Sequence, residues 1–218
     1  MEIVIDPRFR GPDTSGNGGY SCGLLAREIG APAEVTLRLP PPLARPLEFD
    51  GVRLLDGDDV VAEVRRADID LDLPAPVTLA RAEEAQSPDL ESPFPNCFVC
   101  GHARAPGDGL RIFAGRVDGR DLVAAPWTPR EGEVGPEFVW AALDCPGAYA
   151  TGALGRGAIV LGRLGARVDR IPHPGERCVV VGWPLGTEGR KHYAGTALYT
   201  ENGELLGVAR ATWIEPRL

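Results

Sequence analysis

The chain has 218 residues, 44% of them hydrophobic and 25% charged, and a formal net charge of −8. That length can bury one large core or two small ones. The negative balance excludes nucleic acid as a main partner, because phosphate binding needs a basic face. No apolar run approaches the ~20 residues of a membrane span, so no membrane partner is expected. The acidic start MEIVIDPRF lacks the pattern of a signal peptide. On that reading the five cysteines are reduced thiols and the protein is cytoplasmic.

In chain order, a short strand near Ile3–Ile5 leads through the loop RFRGPDTSG to a helix from Asn17 to about Ile29. Strands follow near Glu34–Leu39 and Pro46–Phe49, then a hairpin between Val52 and Ile69. Proline, acid and serine mark residues 74–95 as a linker, with a short helix from Thr78 to Gln86 at its middle. Beyond it, Leu110–Ile112 and Leu122–Ala125 read as strands around a Val117-Asp118-Gly119 turn. A helix is expected from Pro136, a residue suited to a first turn, to about Thr151. Four strands end the chain, about Ala158–Arg170, Arg177–Leu185, His192–Thr200 and Leu205–Ile214, the last two joined by a Glu201-Asn202-Gly203 hairpin turn.

The two halves match each other. LDGDDVVAEVRRADI (Leu55–Ile69) aligns without gaps on TENGELLGVARATWI (Thr200–Ile214), at low identity. The first half is the shorter and lacks a central strand that the second half has. A helix followed by an antiparallel meander, given twice, predicts an α+β chain of two sheets, each wrapped around a central helix.

NCFVCGHARAPGDGLRIF (Asn96–Phe113) resembles the opening of bacterial hotdog-fold acyl-CoA thioesterases of the phenylacetate-pathway type. GPEFVWAALDCPGAYA (Gly135–Ala150) resembles their central helix, which opens His-Gly-Gly and carries an acid further on. With Gly135 at the His position, Asp144 stands at the acid. NGGYSCGLLA (Asn17–Ala26) resembles the same helix with the glycine pair kept as Gly18-Gly19, Asn17 at the His and Ala26 at the acid. The resemblance implies a double hotdog, with a degenerate lobe over 1–73, the linker at 74–95 and a second lobe over 96–218. It also implies an acyl thioester of coenzyme A type as partner, no cofactor, and a homodimer as one open arrangement.

Thioester hydrolysis needs a polarised carbonyl and an activated water or carboxylate. Free N–H groups and the helix dipole make the Gly18-Gly19 turn an oxyanion candidate; the same residues also fit a flexible helix start capped by Asn17. Asp144 lies in apolar sequence, where desolvation would raise its pKa and suit it to act as a base; a surface Asp or one bonded to a nearby donor fits the spacing as well. A donor and an acid eight residues apart on one helix are separated by roughly 12 Å, too far to meet one thioester. The glycine turn of one half must therefore work with the acid of the other. The opposite pairing lacks both parts, since Ala26 is no base and Pro136 has no N–H.

Asp144, Gly18 and Gly19 are thus the catalytic candidates, with Asn17, Tyr20 and Trp140 expected to bind substrate. Some members of the resembled family carry a hydroxyl one turn after the acid, where this chain has Ala148, and a polar residue at the place of Gly11, for which Asp13, Thr14 or Ser15 could substitute. Pro146 should kink the helix beside Asp144. No metal is expected: Cys97 and Cys100 with His102 lack a second pair, and Cys22, Cys145 and Cys178 are isolated in sequence. Arg190, Lys191 and His192 form a basic cluster that could meet coenzyme A phosphates or be a solvated hairpin tip. A non-catalytic acyl-CoA or lipid binder is the rival to hydrolysis. A dehydratase ranks last, for want of its Asp and His pair.

Overall fold

Helix α1 (Gly18–Ile29) begins where the Asn17 Oδ1 accepts the Tyr20 amide at 2.9 Å, and ends at Gly30 with φ 65°. That left-handed cap is open to glycine without strain. The computed structural model to which it belongs describes residues 1–30, 32–88 and 92–216. Short helix α2 (Leu79–Ala85) is capped by Thr78, as its composition suggested.

The described residues form eleven strands: β1 (Glu2–Val4), β2 (Ala33–Leu37), β3 (Pro46–Phe49), β4 (Arg53–Asp56), β5 (Asp59–Arg66), β6 (Gly115–Arg116), β7 (Val123–Trp127), β8 (Val160–Val168), β9 (Cys178–Glu188), β10 (Lys191–Thr200) and β11 (Leu205–Ile214). Two sheets were expected. The strands instead form one, in the order β1-β3-β4-β5-β2-β8-β11-β10-β9-β7-β6. The junction is β2 against β8, antiparallel, with Val35 opposite Leu164 and Ala33 opposite Ala166. All four side chains are buried, so separating the strands there would expose apolar surface as well as two ladder edges.

The expected helix over 136–151 is two helices, α3 (Pro136–Ala142) and α4 (Cys145–Ala150). Pro146 explains the break, because it has no N–H and its ring would strike the carbonyl four residues back. A buried Thr196 hydroxyl donates to the freed Leu143 carbonyl at 2.7 Å. Asp144, between the two helices at φ −79° and ψ −81°, leaves the helical path. Helices α1, α3 and α4 fill one face of the sheet, with Val139, Trp140, Leu164, Val180 and Leu198 in the same apolar cluster. Strand β9 is apolar on its other side too. Val179, Val181 and Trp183 pack there with Leu79 and Ala82 of α2, so this part of the expected linker covers the sheet.

Leu110–Ile112 is not a strand. Its amides at Leu110 and Ile112 donate to the Phe98 and Val99 carbonyls at 2.8 and 2.9 Å, tying it to the loop around Cys97. All five cysteines are buried free thiols. Among the described residues no helix is long and apolar enough to cross a membrane.

Candidate active site

The break after α3 aims Asp144 at the first turn of α1. Its Oδ2 accepts the Gly19 amide and the Asn17 Nδ2, each at 2.9 Å. Asn17 therefore caps its own helix through Oδ1 and holds the carboxylate through its amide nitrogen. Asp144 is buried and its Oδ1 has no hydrogen-bond partner among the described residues. Burial pushes its pKa up to about 7, while the bonds from Gly19 and Asn17 pull the other way.

The contact is close because α1 has no side chain there. A Cβ on Gly19 would lie 2.5 Å from the Asp144 Cβ and 2.7 Å from the Trp140 carbonyl oxygen. One turn later, a Cβ on Gly23 would lie 2.5 Å from the Glu137 Cα. The glycine at 19 thus serves helix packing, and its N–H is spent on Asp144. The Gly18 amide has no hydrogen-bond partner among the described residues, as befits a first helical residue.

A cavity of about 270 Å³ opens beside this pair. Gly18, Asn17, Asp144 and Ala148 line it, together with Leu161 and Trp213 of the sheet. The Trp213 indole N–H is buried without a hydrogen-bond partner among the described residues, against Gly147 of α4. A cavity with a largely apolar wall suits a mostly apolar ligand.

Of the expected residues, Asn17, Gly18, Gly19 and Asp144 come together. Tyr20 and Trp140 do not line the cavity. Tyr20 stacks on Phe9 at 4.0 Å and meets Phe98 and Phe138 edge-on or nearly so, and Trp140 is a core residue whose carbonyl faces Gly19. Ser15 is buried and lines the cavity, whereas Asp13 accepts from Asn96 Nδ2 at 2.9 Å. The basic cluster does not line the cavity: His192 is buried, with Nε2 2.8 Å from a Glu215 carboxylate oxygen, and Arg190 donates to the Glu215 carbonyl. His102 is exposed.

Cys145 is not isolated. Its sulfur lies 3.8 Å from that of Cys97, and Cys97, Cys100 and Cys145 all line the cavity. Sequence reasoning missed this because 48 residues separate Cys97 from Cys145; the Cys-Pro after Asp144 was the only local signal.

No protein-family model and no curated protein matches the sequence. Solved structures do match in shape. A hot dog fold protein of unknown function from Alicyclobacillus acidocaldarius superposes with a TM-score of 0.63 at 11% identity, over 100% of this chain and 93% of its own. A thioesterase candidate from Novosphingobium aromaticivorans gives 0.63 at 14% identity, over 99% and 95%. The tesB protein of Mycobacterium avium subsp. paratuberculosis gives 0.62 at 12%, over 99% and 92%. At such identities the likeness is one of fold, and the chain has the hotdog fold.

Proposed function

We propose that the chain hydrolyses an acyl-CoA or a related acyl thioester at a single site, between two hotdog lobes formed by residues 1–73 and 96–218 and joined by 74–95. The sheet order supports two lobes. Outward from the β2–β8 junction the strands run β5, β4, β3, β1 on one side and β11, β10, β9, β7 on the other, with β6 as an extra edge. In each run the first strand after the long helix sits at the junction and the last strand of the half lies next to it. The aligned segments Leu55–Ile69 and Thr200–Ile214 hold β5 and β11, which occupy matching places.

The observation that carries the function is the buried Asp144 carboxylate, fixed through one oxygen by Gly19 and Asn17, in a residue that lines a largely apolar cavity. In this reading Asp144 takes a proton from water, the hydroxide adds to the thioester carbonyl, and the thiolate leaves and is protonated. The Gly18 amide, at the positive end of α1, is the donor toward the developing oxyanion. Fixing the carboxylate in advance removes the cost of orienting it during the reaction. The names of the tesB and thioesterase-candidate structures agree with thioester chemistry.

A binder without turnover is favoured by one observation, that the Gly19 N–H is already engaged by Asp144 and leaves a single amide for the carbonyl. Coenzyme A release, measured with a thiol reagent across acyl chain lengths, separates the two. Release that Asp144→Asn abolishes supports hydrolysis; acyl-CoA binding with no release from the unaltered chain overturns it.

A further inference from the structure

We propose that Cys97, Cys100 and Cys145 form a three-thiolate site for Zn²⁺ in the wall of the cavity, with the fourth coordination position open to it. The proposal stands apart from the hydrolysis reading, since it rests on the thiols alone.

The geometry is that of a ligand set. The three sulfurs lie within 4.8 Å of one another and all three residues are buried. Tetrahedral zinc with Zn–S near 2.3 Å places its sulfurs about 3.8 Å apart. The Cys97–Cys145 separation is 3.8 Å already, with no disulfide between them. Three sulfurs packed together in an apolar wall have no strong hydrogen-bonding use for one another, because a thiol is a weak donor and a weak acceptor.

The loop that carries two of them is built in advance. Phe98 and Val99, the residues between the cysteines, are tied on both sides: the Phe98 amide donates to the Arg10 carbonyl at 2.7 Å, and their own carbonyls accept from Leu110 and Ile112. Gly101 follows, where a Cβ would lie 2.4 Å from the Cys97 carbonyl oxygen and 2.6 Å from that of Pro95, so this tight turn demands glycine.

The donor set selects the ion. Three soft sulfurs favour Zn²⁺ or Cu⁺ over magnesium, calcium or manganese. Zinc with three protein ligands keeps a position for water or another ligand, and here that position faces the cavity. Asn17 links this site to the carboxylate, since its Nδ2 lies 3.7 Å from the Cys97 sulfur and 2.9 Å from Asp144 Oδ2.

The test uses the full chain, reduced and stripped with a chelator, then titrated with Zn²⁺ against a chromophoric competitor. Roughly one equivalent should bind, with release of protons as the thiols ionise. Titrated with Co²⁺ instead, the protein should show sulfur-to-cobalt charge-transfer absorption of a tetrahedral complex. Cys145→Ser should weaken Zn²⁺ binding by at least ~10-fold and diminish that absorption. Cys178→Ser, outside the cluster, should change neither. Added Zn²⁺ should raise the Tm of the unaltered chain. The proposal is overturned if the unaltered chain takes up no Zn²⁺, or if Cys145→Ser binds it as tightly. Should Cys145→Ser not fold, the cobalt spectrum decides alone, and one without charge-transfer bands overturns the site.

Discussion

The Asp144 carboxylate accepts the Gly19 amide at 2.9 Å across 125 residues of sequence, joining the broken second helix to the start of the first. Replacement by asparagine tests the role of this contact with little change of shape. In Asp144→Asn the amide oxygen can still accept from Gly19 and Asn17, so the fold should hold. Thioester turnover should drop by at least ~100-fold, the loss typical of a general base, while acyl-CoA still binds. Steady-state release of coenzyme A measures the first and equilibrium dialysis the second. Undiminished turnover would remove Asp144 from the chemistry.

Burial of the same carboxyl predicts two pH dependences, both to be measured on chelator-treated, reduced protein. In the folded chain its pKa is about 7, against 3.8 for the free side chain. Between those values the folded state holds a proton that the unfolded state has released, so stability falls as pH rises through this window and levels off above it. The whole effect is on the order of 4 kcal/mol. Asp144→Asn should lack this slope, and urea unfolding at intervals from pH 4 to 8 reads the difference. Activity should run the other way, with kcat/KM rising toward a plateau above pH 7 as the base ionises. Equal slopes for the two proteins would show that Asp144 titrates normally.

The glycine pair should be unequal. A methyl group at Gly19 meets the Asp144 Cβ and the Trp140 carbonyl, and backbone cannot step aside. At Gly18 the nearest atoms, at 2.8 and 2.9 Å, belong to the Leu161 side chain, which can rotate. Gly19→Ala should therefore cost ~1–3 kcal/mol by overpacking and disturb the carboxylate. Gly18→Ala should cost less. Chemical denaturation of both variants gives the order, and the reverse order would mean that α1 is not held against Asp144.

Much of this was legible in the sequence because local rules governed it. Asn17 before a helix, Thr78 before α2 and the turn at Asn202-Gly203 all behave as their side chains dictate. The meeting of Asp144 with Gly19 was also legible, through the argument that a donor and an acid on one helix cannot reach one ligand. What was hidden is tertiary. Tyr20 looked like a ligand contact, yet its helix face turns toward Phe9, Phe98 and Phe138. Leu110–Ile112 has the pattern of a strand, but its amides are claimed by the loop at Phe98 and Val99. Cys145 looked alone because 48 residues separate it from Cys97, against which α4 begins. The purpose of Gly19 was half read: its N–H was expected to face a substrate carbonyl, and it donates to Asp144 where the second helix packs close.

The last prediction concerns the position that corresponds, with the two halves exchanged, to Asp144 and the Gly18-Gly19 turn. Counting from Asn17 at Gly135, Pro136 takes the place of Gly18, Glu137 that of Gly19, and Ala26 that of Asp144. The structure fills this position with packing and an ion pair. Arg27 Nη1 lies 3.1 Å from Glu137 Oε1, and Gly23 lies against the Glu137 backbone with no space for a Cβ. Glu137 Oε2 is buried there without a partner. Adding Ala26→Asp to Pro136→Gly would restore both an N–H and an acid, but it would set a second carboxyl on the buried face of α1 that packs on α3. A carboxyl there lacks the partner Asp144 has in Asn17, and the carboxylate of Glu137 lies on the facing helix; both favour its neutral form. The double variant should lose ~1–3 kcal/mol of stability, as expected for a polar group buried without a partner. Made in an Asp144→Asn background, it should hydrolyse no thioester, because the large cavity lies on the side of Asp144 and Gly18. Turnover that returns in that triple variant would show that the second half-site needs only its two lost groups, and the reading of one site per chain would fall.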